Sequence, residues 1–452
     1  DHVVSTFTST NFPDQVTNPG NIAGFPDGLV ATATATPTQQ AFIFQILPAS
    51  ATSVVTVRIF IAPSGGARTS GDPNWTNTWI RGADQIPGGA AANSVGTVFF
   101  GATDAGARTQ WLLAISAAGS LQTGALYSLE SGTNVTVGNN SVAVDSKDNV
   151  IVANTSTNNI TTAGHSSIRW RKLNPGTALP PVWPVTPIWD QSFSGAGINL
   201  VGSNGVAVDG SDNVLIAGGN DVGTVSSQNG RWLQKVDGGS GGTMLNQTGP
   251  ADVNSTWWRG VGIAPGNSIA TTGDVTTGLT GPVEIFSRTT NTGFSTTSDA
   301  TYTESGTPAD LGSAIAVDGG GNQYIGGFLG ISGPSKNAII LKLPAGSTTP
   351  AQWFLETTNA PSEILGLQAL SDGTLYAVGY ETVTSPAQGQ NILVLKFGPA
   401  GNLLWKRTYD SGSGDDQAVS AALTSTSLVV VGQVSTSSGT EGKDIFIISY
   451  VR

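Results

Sequence analysis

The sequence predicts an all-β fold: one β-propeller domain over residues 1–452, a ring of eight four-stranded antiparallel blades, with seven blades as the alternative. Three observations predict it. The composition disfavours helix, one two-strand phrase recurs along the whole chain, and the two ends carry complementary parts of one sheet.

The chain has 452 residues, of which 60 are Gly and 23 Pro, and only 38% are hydrophobic. Gly and Pro are poor helix formers, and the remainder is rich in Ser and Thr. With 11 Trp, 15 Phe and 7 Tyr there is still enough aromatic surface for a packed core, so the chain is not disordered. No apolar run is long enough for a membrane-spanning helix.

The phrase is a small-residue strand, a turn of Asp, Gly and Asn, and a strand that ends in Gly. It is clearest over 141–154, 205–219 and 314–327. Looser copies lie at 260–273, 367–379 and 419–432, and weaker ones at 22–34 and 90–102. A polar loop follows each copy. Then comes a strand of period-2 alternation: 41–47, 110–116, 168–173, 231–236, 283–288, 338–343, 391–397 and 444–450. A fourth strand is visible at 53–60, 187–193, 351–357 and 402–409.

The second-strand markers Val30, Phe99, Ile151, Leu215, Ile269, Tyr324, Tyr376 and Val429 recur at intervals of 52 to 69 residues. Four short strands per unit of that length is the pattern of a propeller blade. Such a sheet has two apolar faces and must bury both against neighbours. Small residues on strand one suit the crowded axis. Trp111, Trp170, Trp232, Phe286 and Phe446 on strand three suit the wider gap outside it. The last copy stops after its third strand, and the chain opens with a spare alternating strand over 2–8. The expectation is that this N-terminal strand completes the last blade and closes the ring.

Residues 391–416 and the following 419–450, with the phrase over 314–327, resemble bacterial propeller repeats of the SBBP type. The matches are Ala316, Val317 and Asp318 with Gly321, Asn322 and Tyr324, then Gly401, Asn402, Trp405, Tyr409, Gly412, Gly414 and Asp416. The likeness is close over the last three copies, fair over copies three and four, and poor at the start. Asp410 and Pro265 depart from the pattern. The resemblance implies the fold and an exported, surface-type protein. It implies no reaction.

The formal charge of −11 argues against nucleic acid and anionic membrane as partners. Cysteine is absent, which excludes disulfides, thiolate metal sites and a cysteine nucleophile. The chain begins at Asp1 without Met, read as a mature form whose signal peptide has been removed. Together these features suggest an extracellular or cell-surface protein.

No catalytic constellation emerges, and no catalytic residue, cofactor or metal is assigned. The turns at 145–149, 209–213 and 318–322 superficially resemble calcium loops, but no closing Glu follows and hairpin-turn chemistry explains them. His2 and His165 are isolated. The candidate binding residues are Trp257, Trp258 and Arg259, set just before strand one of their copy, with Asn140, Asn204 and Ser313 at equivalent positions around the axis. The competing reading has Trp258 packing between blades. Trp75 and Trp79 raise the same question within the long connection 61–81. Glycosylation sequons fall at Asn74, Asn134, Asn139, Asn154, Asn159, Asn246 and Asn254, and matter only in a glycosylating host.

The leading expectation is a non-catalytic exported module that binds a protein or glycan at the cell surface, or self-associates in an extracellular assembly. The alternative is a carbohydrate-active enzyme, a lyase or hydrolase, or a lectin-like glycan binder. An enzyme of that kind needs paired carboxylates in one pocket; Asp84, Glu130, Asp190 and Glu363 are available singly.

Overall fold

The computed structural model describes residues 2–3, 29–33, 42–46, 59–60, 69–79, 84–105, 109–121, 127–131, 140–156, 167–176, 186–193, 198–199, 205–221, 229–248, 257–276, 283–295, 297–302, 309–330, 336–356, 360–384, 387–435 and 442–452. Asp1–Asn74 with Val451 form one compact unit, and Trp75–Tyr450 with Arg452 form the second. In the first, His2–Val3 pairs with Ile59–Phe60, and Leu29–Ala33 pairs with Phe42–Ile46.

Seven antiparallel sheets make the ring. Blade one is Gln85–Ala92, Val98–Asp104, Thr109–Ile115 and Tyr127–Ser131. Blade two is Asn140–Val144, Val150–Ser156, Ser167–Leu173 and Trp189–Phe193. Blade three has its first strand in two pieces, Ile198–Asn199 and Val206–Val208, beside Val214–Asp221, Asn229–Val236 and Thr243–Thr248. Blade four is Trp258–Ala264, Ser268–Thr276, Val283–Thr290 and Thr297–Tyr302. Blade five is Asp310–Val317, Gln323–Gly330, Lys336–Leu343 and Ala351–Leu355. Blade six is Ser362–Ala369, Leu375–Thr384, Ala387–Phe397 and Leu403–Tyr409. Blade seven is Gln417–Leu423, Ser427–Ser435 and Lys443–Val451, completed by Pro73–Trp79.

The count is therefore the seven-blade alternative, and the closing strand differs from the expected one. Residues 2–3 pair with 59–60 rather than with the last blade. The closing strand lies inside what reads in the sequence as a connection. Its side chains explain the choice. Trp75 Nε1 donates to the Ala117 carbonyl at 3.0 Å, Asn77 Nδ2 donates to the Gly119 carbonyl at 2.9 Å, and Trp79 is buried between blades seven and one. The segment 2–8 alternates but carries no Trp to seat on that turn.

The same device recurs. Trp189 lies against Gly241 in the outer turn of blade three, and Trp353 against Gly401 in that of blade six. These turn glycines have positive φ and no side chain, so an indole from the preceding blade can lie flat on the backbone.

Among the described residues, buried apolar side chains fall into seven clusters, each shared by two neighbouring blades. Successive residues of one strand go to opposite neighbours. Val150 and Val152 pack with blade one, whereas Ile151 and Ala153 pack with blade three. This is why the second strands read as unbroken apolar runs.

The first turns of the blades form the lower rim, and here Asp is a turn residue, as expected. Asp145 Oδ1 accepts the Lys147 and Asn149 amides, each at 2.9 Å, and Asn149 Nδ2 donates to Oδ2 at 2.9 Å. Asp209 with Asn213 and Asp318 with Asn322 repeat the pattern. Neighbouring turns are joined head to tail: Ser146 Oγ donates to Asp212 Oδ2 at 2.8 Å, and the Gly210 amide to Asn267 Oδ1 at 3.0 Å.

A lysine on strand three changes partner with the marker opposite it. Beside Ile151 and Leu215, Lys172 and Lys235 reach Asp145 and Asp209 at 2.7 and 2.9 Å. Beside Tyr324, Lys342 lies over the ring instead, 5.2 Å from its centroid, and the tyrosine hydroxyl donates to Asp318 at 3.0 Å. The tyrosine thus supplies both a donor for the turn and a π face for the cation.

Candidate functional site

The upper rim, where the innermost strands begin, carries a repeated irregularity. The register of strand one against strand two skips at Trp258/Gly260, Gly312/Ala314, Ile364/Gly366 and Ala418/Ser420. Blade one skips between Pro87 and Ala90. Each skip is a β-bulge, and in blades four to seven the extra residues are Arg259, Ser313, Leu365 and Val419. Bulges re-aim a side chain and bend the strand, and they are frequent next to binding and active sites.

The bulge also explains the glycine that ends the phrase. A Cβ on Gly273 would lie 1.8 Å from the Trp257 carbonyl oxygen, one on Gly327 1.7 Å from that of Leu311, and one on Gly379 1.9 Å from that of Glu363. On Gly432 the figure is 2.3 Å, to Gln417. The bulged strand pushes a carbonyl into the space a side chain would occupy.

Two polar nodes are built on this frame. Between blades five and six, Ser313 Oγ donates to Glu363 Oε1 at 2.9 Å. Lys336 Nζ donates to Glu363 Oε2 at 2.7 Å, and the Tyr380 hydroxyl donates to the same oxygen at 3.3 Å. Lys336 also lies 4.4 Å from the centre of the Phe328 ring. Burial, and then the Glu363 charge, push the Tyr380 hydroxyl above its usual range. Burial opposes the charge on Lys336, but Glu363 outweighs it and holds the ammonium above its ordinary value. Outside this node, Lys406 binds both Glu381 and, at 3.3 Å, Glu356.

The second node joins blades three and four. Trp258 is buried and stacks on Phe286, with ring centroids 5.5 Å apart. The Arg231 guanidinium covers both rings, at 5.1 and 4.4 Å. Arg259 Nε donates to Asp274 Oδ1 at 2.9 Å, yet desolvation dominates and lifts the Asp274 carboxyl above its ordinary value. Trp257 is half-buried against Gly219.

Of the residues singled out by sequence, Arg259 and Ser313 are bulge residues, and Trp258 packs between blades. Asn140 opens the innermost strand of blade two opposite Asn154, and Asn204 lies outside the described residues. Arg231, Asp274, Lys336 and Tyr380 escaped the sequence reading. One signal could have found two of them: Asp274 and Tyr380 both follow the glycine that ends the phrase. Asp190 is held by Arg169 and Arg171, and Asp84 accepts the Lys443 amide at 2.9 Å. Among the sequons, Asn246 is exposed and Asn74 half-buried on their strands. Asn154 is fully buried: it donates to Gln110 Oε1 at 2.8 Å and accepts Arg171 at 3.1 Å, which leaves no room for a glycan. Asn134, Asn139, Asn159 and Asn254 lie outside the described residues.

Asp416, the last residue of the repeat-type motif, locks the upper end of blade seven. It is fully buried, takes the Ser435 amide at 3.0 Å and also binds the Ser411 amide. Desolvation outweighs these bonds and raises its carboxyl to about 6. A native pKa above the unfolded one adds stability that is full below about pH 4 and is lost as pH rises through about 6. The expected result is that the wild type loses stability relative to Asp416→Asn between those limits. Parallel melts across that range check it, and a constant difference would contradict it.

Seven four-stranded antiparallel sheets with inter-blade cores define a β-propeller. No known family model and no curated protein matches the chain. Among solved structures it is similar to a protein of unknown function from Dyadobacter fermentans, with 12% identity over 69% of this chain and 94% of that one, TM-score 0.48. It is similar to the β-propeller domain of the Trilobed protease from Pyrococcus furiosus, with 10% identity over 82% and 94% of the two chains, TM-score 0.44. It is also similar to Drosophila Semaphorin 1a extracellular domains 1–2, with 7% identity over 82% and 87%, TM-score 0.48. The fold stands on the sheets themselves.

Proposed function

We propose that the chain is an exported, non-catalytic binding module at the cell surface or in an extracellular assembly, and that it binds a glycan or protein through the upper rim of blades four to seven. The observation that carries this reading is the bulge repeated in strand one. It sets Arg259 and Ser313 beside Leu365 and Val419, a short arc of polar and apolar groups next to the axis. Arg and Trp recur in binding hot spots, and a pre-paired guanidinium loses little freedom on binding.

A second reading, a carbohydrate-active enzyme, draws on Glu363 and Tyr380, a carboxylate and a hydroxyl 3.3 Å apart at the rim. The electrostatics favour binding over hydrolysis there. Lys336 neutralises Glu363, and a hydroxyl held protonated is a poor nucleophile.

The test is a glycan array with the purified protein, followed by titration of any hit against Arg259→Ala. The expected result is a loss of roughly 30-fold in affinity, the size of a hot-spot truncation. Release of reducing ends from the same glycans, lost in Tyr380→Phe, would support the enzyme instead. Unchanged affinity in Arg259→Ala would remove the rim site.

A further inference from the structure

We propose that the peptide bond between Asp72 and Pro73 is a site of self-cleavage that separates residues 1–72 from the ring. It is the one Asp-Pro bond in the sequence, and it lies in the first compact unit, just before that unit's stretch Asp1–Asn74 ends.

The geometry around it is that of a prepared bond. The Asp72 carbonyl oxygen accepts the Val451 amide at 2.8 Å. That donor polarises the carbonyl and stabilises negative charge developing on the oxygen, as an oxyanion donor does. The side chain is fixed as well: Asp72 Oδ2 accepts the Thr69 amide at 2.7 Å and the Thr69 hydroxyl at 2.9 Å. These bonds restrict the rotation of the carboxylate, so less freedom remains to be lost when its other oxygen attacks. Gly71 precedes it at φ 91°, and its amide donates to the Val451 carbonyl at 2.8 Å. The backbone is therefore clamped on both sides of the carboxylate.

In the step itself, a carboxylate oxygen of Asp72 attacks the Asp72 carbonyl carbon. The bond to the Pro73 nitrogen breaks, and its electron pair stays on that nitrogen, which takes a proton from solvent. Proline leaves readily because its nitrogen departs as a basic secondary amine. The cyclic anhydride left at Asp72 is opened by one water to two carboxylates. The net change is hydrolysis of one peptide bond, with one water consumed and no redox partner. Pro73 becomes the first residue of the outer strand of blade seven. That strand remains paired in its sheet and joined to blade one, so the ring stays closed.

The test is intact-mass measurement of the full chain over time in mildly acidic and neutral buffer. The expected products are two chains, one starting at Pro73, whose masses sum to the parent plus one water. The rate in the folded protein is expected to exceed that in urea by about 10²-fold, the worth of one oxyanion donor. Proton demand at the leaving nitrogen makes it faster in acid. Asp72→Glu keeps the charge but enlarges the ring that must form, and Pro73→Ala supplies an ordinary amide; both are expected to stop the cleavage. A mass that stays unchanged, an equal rate in urea, or a cut that persists in Asp72→Glu would each overturn the proposal.

Discussion

Gly327→Ala is expected to destabilise the ring by about 3 kcal/mol or more, the upper end of what overpacking costs. The new methyl would sit 1.7 Å from the Leu311 carbonyl oxygen, which is backbone and cannot rotate away. Either the bulge between Gly312 and Ala314 is lost, or the first strand of blade five moves off its second. The comparison is Gly346→Ala. Gly346 has positive φ, at 75°, which Gly327 does not, and nothing lies within 4 Å of its added Cβ. Its cost is backbone strain alone, about 1 kcal/mol. Thermal melts of the two variants separate the mechanisms. If they melt together, the bulge is misplaced and the rim described above loses its frame.

The second large effect is expected for Lys172→Met. Asp145 is buried with Lys172 at 2.7 Å, and removing one partner of such a pair strands the other charge, at about 3–5 kcal/mol. Lys342→Met removes the equivalent lysine of blade five, where the partner is the Tyr324 ring, and should cost about 1 kcal/mol or less. The pH dependence distinguishes them further. Burial alone would raise the Asp145 carboxyl, but the bonds from Lys172 and Asn149 outweigh it and hold it below its ordinary value. A lowered native pKa gives stability that is present above the unfolded pKa and is lost as pH falls through the native one. Without Lys172 one of the bonds that hold the carboxyl down is gone while those from Asn149 and the Lys147 amide remain, so the variant should lose less stability than the wild type as pH falls through that range. Equal losses in the two lysine variants would refute the exchange of partners between Asp and Tyr.

The exchange shows how much of the fold was readable before any coordinates. The AVD and GN pairs of the phrase are a turn, and the bonds of Asp318 with Asn322 are the reason those letters recur. In the sequence Tyr324 is only the second-strand marker of its copy and a match to the repeat pattern. Only its hydroxyl on Asp318 and its ring under Lys342 show that it replaces a salt bridge.

The rim was less legible. Arg259 and Ser313 could be aligned from the phrase, because bulge and turn are local in sequence. Lys336 and Glu363 meet across a blade interface 27 residues apart, and nothing in either segment names the other.

By itself the sequence determined the all-β class, the blade as the repeating unit, the turn chemistry and the glycine that closes each phrase. These depend on contacts within one hairpin, where side-chain alternation and φ preference act directly. The tertiary structure decided the number of blades and the strand that closes them. The segment 2–8 and Pro73–Trp79 are both plausible edge strands locally. What separates them is the fit of Trp75 and Asn77 to a turn of blade one, more than 40 residues further along the chain. That fit exists only once the ring has formed, so no local pattern could choose between them.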